Sequence, residues 1–187
     1  MSLTVSIMKQ DLTAKIELKL GVTAKLDGSM LTVKGPKGQI SRNFLHPRVQ
    51  IAIDGNKIVL SAMKATKREK TMMGSFESHI ANMVHGVGEP YLYKLKICSG
   101  HFPMTVSVSA QEVVIKNFLG ESVPRRISLP PGVTVKVSGT EITVESADKE
   151  IAGQTAAKIE NICRITGRDI RIFQDGCYIV QKAGEAV

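Results

Sequence analysis

The chain of 187 residues has no tryptophan, and aromatic residues make up only 4% of it. A protein that grips single strands by stacking base after base on aromatic rings would be short of platforms. No apolar run approaches the roughly 18 residues of a membrane-spanning helix, and residues 1–15 lack the apolar block and cleavage site of a secretory leader. Three cysteines, Cys98, Cys163 and Cys177, are too few and too scattered for a disulfide framework, so reduced thiols in a cytoplasmic protein are expected. Disorder is excluded as well, because 43% hydrophobic and 22% charged residues are ordinary for a folded protein of one or two domains.

Catalytic and metal patterns are also scarce. Cys98-x-x-His101 is half a zinc site, and no second ligand pair stands at the spacing a closed site needs. Cys163 falls on an apolar helix stripe, where a thiol behaves as a small hydrophobe. His79 and His85 are six residues apart and share no helix face, while His46 and His101 stand alone in loops. No Gly-x-Ser-x-Gly, Walker or dinucleotide pattern occurs. A Cys98–His101 nucleophilic pair remains the one enzymatic alternative, with nothing nearby in sequence to orient it. No enzyme activity, cofactor or metal is therefore expected.

What the chain does contain is an internal repeat. Val49-Gln-Ile51-Ala-Ile53-Asp-Gly55-Asn-Lys-Ile58-Val-Leu60 aligns without a gap to Val133-Thr-Val135-Lys-Val137-Ser-Gly139-Thr-Glu-Ile142-Thr-Val144. Both copies alternate apolar and polar residues, turn at a glycine and alternate again, the pattern of two half-buried strands joined tightly. Upstream, Leu31-Thr-Val33-Lys34 with Gly38 matches Val113-Val-Ile115-Lys116 with Gly120. Downstream, Met73, Phe76, Ile80, Met83, Val84 and Val87 form one helical stripe; Ile151, Thr155, Ile159, Ile162 and Cys163 form another. The expected fold is α+β: two tandem copies of a small antiparallel sheet backed by one helix. The first covers residues 1–86, with 1–14 a weakly patterned lead carrying a short helix over residues 8–14 and the first strand over residues 16–20. The second covers residues 87–187.

The net charge is +8, and a basic balance favours a polyanionic partner, nucleic acid before an acidic surface. The cations fall in acid-free stretches. Lys34, Lys37, Arg42 and Arg48 lie between Asp27 and Asp54; Lys94, Lys96 and His101 lie between Glu89 and Glu112. Lys67, Arg68 and Lys70 flank Glu69, and Arg164, Arg168 and Arg171 recur with Asp169 as the sole acid among them. Arginine presents planar paired donors to phosphate, which gives the last group the greatest weight. Arg164 at a helix end would also suit the helix dipole. Gly35-Pro36-Lys37-Gly38 is either an ordinary hairpin turn or a loop tip whose glycines let backbone approach phosphate. Tyr93 stands beside Lys94 and Lys96, and Arg171 to Val180 reads as a hairpin turning at Asp175-Gly176 with Arg171 and Tyr178 outward. A protein–protein adaptor built on exposed strand edges is the competing non-enzymatic reading.

Gly21-Val-Thr, Leu31-Thr-Val-Lys-Gly-Pro-Lys-Gly38, the repeat and the ending Arg171-x-Phe173-x-Asp175-Gly176-x-Tyr178-Ile179 together resemble the large-subunit ribosomal protein L6 family, in its archaeal and eukaryotic branch. The similarity runs from about residue 16 to Lys182. The resemblance implies a cytoplasmic ribosomal protein without catalysis, bound to folded large-subunit rRNA mainly through its second domain. It implies a position near the sarcin–ricin stem, the stalk base with its neighbouring ribosomal proteins, and the site where translation factors bind, and no membrane association. The candidate rRNA contacts are Arg164, Arg168, Arg171, Tyr178, Lys182, Tyr93, Lys94, Lys96 and His101, with Lys34, Lys37, Arg42, Lys67, Arg68 and Lys70 as secondary basic loops.

Overall fold

The computed structural model describes residues 10–109 and 111–186. The chain divides into two compact units between Glu89 and Pro90, and the described residues form an α+β fold with antiparallel sheets and two α-helices.

In the first unit, β1 (Gln10–Glu17), β5 (Gln50–Asp54) and β6 (Lys57–Ala65) form one sheet in the order β1-β6-β5. A second sheet contains β2 (Thr23–Asp27), β3 (Met30–Gly35) and β4 (Gly38–Asn43) in chain order. Period-2 alternation turns Ile58, Leu60, Leu31 and Val33 inward, all fully buried. They meet the 22-residue helix α1 (Lys67–Gly88), whose Met73, Phe76, Ile80, Met83, Val84 and Val87 are buried as its sequence spacing predicts. A capping box starts this helix. The Glu69 carboxylate accepts the Thr66 N–H at 2.9 Å and also the Thr66 hydroxyl. Those bonds, led by the hydroxyl and joined by Arg48 at 3.5 Å, bring the Glu69 carboxyl down to about 2.

The start of this unit corrects the sequence reading. Residues 10–17 are a strand rather than the expected lead with a helix over residues 8–14; residues 8 and 9 lie outside the described residues. Leu12, Ala14 and Ile16 alternate into the core, and the long-range pairing with β6 outweighs any local helical tendency. The strand stops at Glu17, so Leu20 is fully exposed instead of continuing the alternation.

In the second unit, β7 (Tyr91–Cys98) is a central strand. With β11 (Val133–Ser138), β12 (Glu141–Ser146), β13 (Gly176–Lys182) and β14 (Glu185–Ala186) it forms a sheet ordered β11-β12-β7-β13-β14. A three-stranded sheet holds β8 (Thr105–Ser109), β9 (Glu112–Lys116) and β10 (Arg125–Ser128) in the order β10-β9-β8. Helix α2 (Lys149–Ile162) is capped by Asp148, which accepts from the N–H groups of Glu150 and Ile151. Its core face is Ala152, Thr155, Ala156 and Ile159, rotated from the expected stripe; Ile151 is only half-buried. Two alanines let the helix lie close to the sheet. The closing carbonyl of Ile162 is met by the Arg125 guanidinium, which also lies 4.2 Å from the Phe118 ring. Arg125 thus supplies a cation at this helix end, and the helix closes two residues before Arg164.

Candidate nucleic-acid interface

Alternation along β7 decides which of its side chains a partner can reach. Tyr91, Tyr93 and Leu95 point into the core, so Lys94 and Lys96 point out. Tyr93 is 8% exposed, and at Gly153 of α2 a Cβ would lie 3.1 Å from the Tyr93 hydroxyl. This corrects the choice of Tyr93 as a contact residue: it is core, and burial raises its hydroxyl above the ordinary range.

Cross-strand register extends the open face. Lys96 stands opposite Glu141 on β12 and Tyr178 on β13. Lys94 stands opposite Thr143, which stands opposite Lys136 on β11. Lys136 was not among the sequence candidates, because its run alternates like any exposed strand and only the register aligns it with Lys94. Lys182 is exposed near the end of β13. Glu141 and Glu145 share the outer face of β12, so the cationic excess gathers toward β7, β13 and the segment before β13.

That segment, residues 163–175, is not the hairpin expected from its Asp-Gly pair. Residues 163–175 contain no strand; β13 instead pairs antiparallel with β7, and its Ile179 N–H donates to Glu160 of α2 at 3.0 Å. Asp175 is 2% exposed and binds the loop after β7. Its Oδ1 accepts the N–H groups of Gly100 at 2.6 Å and His101 at 3.0 Å, and its Oδ2 lies 2.7 Å from His101 Nδ1. Burial opposes ionisation of this carboxyl, but the bonds from the His101 backbone and ring and from Gly100 outweigh it and hold it below the usual aspartate range. Gly176 follows because a side chain there would meet the Tyr178 ring at about 3.2 Å.

A stacked column grows from this anchor. The Phe173 and His101 rings are 4.5 Å apart at an interplanar angle of 30°, and the Arg168 guanidinium lies 4.8 Å from the Phe173 centroid. Arg168 and His101, 67 positions apart in the numbering, thus share one rigid support. Arg164 and Arg171 are exposed on the same segment. Arg171 is held by Asp169 through two parallel bonds, Nε to Oδ1 at 3.0 Å and a terminal nitrogen to Oδ2 at 2.7 Å. This pair partly neutralises the arginine before any partner arrives. Asp175 and Phe173 were not singled out as site residues, and no local signal marks Asp175, since its partners lie 74 and 75 positions away.

The secondary basic loops lie in the first unit. The Gly-Pro-Lys-Gly element is a tight hairpin between β3 and β4, with Gly35 opposite Gly38. A Cβ on Gly35 would sit 2.7 Å from the Val87 carbonyl oxygen, which also accepts the Lys37 N–H at 3.0 Å. Gly35 therefore serves the docking of the hairpin on the end of α1. Lys34 and Lys37 remain exposed, whereas Arg42 is half-buried, 3.2 Å from His79 Nδ1. Lys67, Arg68 and Lys70 are exposed on the first turn of α1, where cations oppose the helix dipole. Helix stability does not explain them.

Among the described residues no group of three or more His, Cys, Asp or Glu side chains is placed to hold a metal ion, and no helix is long and apolar enough to cross a membrane. Cys163 and Cys177 are buried together in the core; the bond with Cys163, reinforced by burial, raises the Cys177 thiol. His101 gives its Nδ1 to Asp175.

The family model described as ribosomal protein L6 matches residues 20–89 and 102–176. "Large ribosomal subunit protein uL6" of Methanococcus vannielii is 43% identical over 173 residues, covering 92% of this chain and 95% of that protein. Its namesake from Halobacterium salinarum is 43% identical over 168 residues, covering 90% and 94%. Matched by the family model over both of its units and by these two relatives over nearly its whole length, the chain belongs to the ribosomal protein L6 family.

Proposed function

We propose that this protein is a structural constituent of the large ribosomal subunit, bound to folded rRNA mainly by its second unit. Its family consists of structural, non-enzymatic ribosomal proteins. The observation that carries the reading is the support Asp175 gives to His101 and, through Phe173, to Arg168, beside Lys94, Lys96 and Tyr178 on one sheet face. Arg164 and Lys182 extend the cationic surface, and Arg171 joins it when RNA phosphate competes with Asp169. The binding position is the sarcin–ricin stem by the stalk base, with neighbouring ribosomal proteins and translation factors close by, on cytoplasmic ribosomes.

The mechanism is electrostatic and geometric. Cations displace counterions from the phosphates, while the sheet fixes their spacing. An A-form duplex hides its base edges in a deep, narrow groove, so shape outweighs base readout along paired regions. The two units are read as an internal duplication. The orders β1-β6-β5 and β7-β12-β11 correspond, as do β2-β3-β4 and β8-β9-β10, each followed by one helix. Strands β13 and β14 are the addition peculiar to the second copy, and β13 with its approach segment bears most of the proposed contacts.

The test is the affinity of the full chain for a large-subunit rRNA fragment containing the sarcin–ricin stem, measured across a salt series. Each neutralised phosphate should contribute a log–log slope of about 0.7 to 0.9. Binding that ignores salt and survives ribonuclease would replace this reading with the protein adaptor.

A further inference from the structure

The second unit has a groove of about 660 Å³ between the loop after β7 and the segment before β13. Cys98, His101, Ile172, Gln174, Asp175 and Tyr178 contribute to its walls. We propose that this groove takes one unpaired nucleobase of the bound RNA, stacked against Tyr178; the inference rests on the rRNA-binding reading above.

Three observations converge on this ligand. The first is an exposed apolar lining: Ile172 is 64% and Tyr178 42% exposed, although Tyr91 and Tyr93 are both buried. The Tyr178 ring packs on Gly176, where any Cβ would meet it. The stacking surface is therefore set before a ligand arrives. The second is a paired polar end. The ionised Asp175 accepts from His101, which places a proton on Nδ1 and leaves Nε2 for a ligand, while exposed Gln174 carries a donor and an acceptor on one amide. Such a set matches the hydrogen-bonding edge of a base. The third is charge: Lys96 stands opposite Tyr178, and Arg168 stacks on the Phe173 that also backs His101. A base in the groove would carry its flanking phosphates toward cations. Unpaired bases are the part of folded RNA that proteins read by stacking and edge contacts, and a single slot is consistent with a chain poor in aromatics.

The experiment uses the full chain and two RNA hairpins: one fully paired, the other identical except for a single unpaired 2-aminopurine in the stem. The hairpin with the unpaired purine should bind about tenfold more tightly, and its fluorescence should be quenched on binding. Ile172→Ala and Tyr178→Ala should each bring the ratio of the two affinities close to one, and Tyr178→Phe should preserve it. Ile172 is exposed, so that variant keeps the test decisive should Tyr178→Ala fold poorly. Equal affinities without quenching would overturn the slot and leave the rRNA-binding reading standing. Failure of the wild-type chain to bind either hairpin or the rRNA fragment at low salt would overturn both.

Discussion

The two units solve the same packing problem with different reserves. In the first, a 22-residue helix fills the core with Met73, Phe76, Ile80 and Met83. Its Gly-Pro-Lys-Gly hairpin is docked against Val87. In the second, a 14-residue helix approaches its sheet through Ala152 and Ala156. There β13 occupies the edge of β7, whereas β1 pairs only with β6 among the described residues. The first unit's internal anchor is a capping carboxylate, Glu69, local in sequence. The second unit's anchor is Asp175, which binds a loop more than seventy positions away. The proposed binding chemistry falls largely on β13 and its approach segment, held by long-range bonds to the loop after β7.

The comparison can be broken most forcefully at Asp175. Asp175→Ala removes a buried carboxylate that accepts from the N–H groups of Gly100 and His101 and from the His101 ring, and should destabilise the second unit by about 2 kcal/mol. Calorimetry should show the loss confined to one transition. Charge reversal comes next. Arg164→Glu with Arg168→Glu should weaken rRNA binding by about thirtyfold, while Lys34→Glu with Lys37→Glu costs less than tenfold, both read by filter binding. A larger loss from the lysine pair would move the main interface to the first unit.

Gly35→Ala is a smaller, local test of the first unit. The added methyl collides with the Val87 carbonyl and should cost about 2 kcal/mol, seen as a lower melting temperature with binding retained. Acid titration compares the two anchors without mutation. Both carboxyls are depressed in the folded state, so each adds stability that is complete above the ordinary carboxylate range and disappears as pH falls through the folded value. For Glu69 that window closes at about 2. Thermal stability should therefore fall between about pH 5 and pH 2, and Glu69→Gln should flatten that fall in the first unit's transition. The smallest effect belongs to Arg171→Ala. Its pair with Asp169 is exposed, so the melting temperature should stay close to that of the wild type.

The alternating strands, their glycine turns and the stripe of α1 were legible because each is a short-range periodicity tied to a buried face. The same periodicity contains the correct side for Tyr93: Tyr91, Tyr93 and Leu95 alternate with Leu92, Lys94 and Lys96. An aromatic residue beside lysines in sequence has no fixed side, because successive strand residues face opposite ways. Strand β1 was obscured because its partner β6 lies some fifty positions away. The Asp175–His101–Phe173–Arg168 arrangement was illegible for a similar reason: a buried aspartate before glycine looks like a turn until the distant loop it binds is in place.

If the second unit's cations, ordered by that arrangement, hold rRNA through phosphate neutralisation, salt registers their loss directly. The most direct measurement is the salt dependence of full-chain binding to the sarcin–ricin fragment, for the wild type and for Arg164→Glu with Arg168→Glu. The steep wild-type slope should become shallower by about 1.5 in the double variant, close to two lost phosphate contacts. An identical slope in the two proteins would contradict this mechanism.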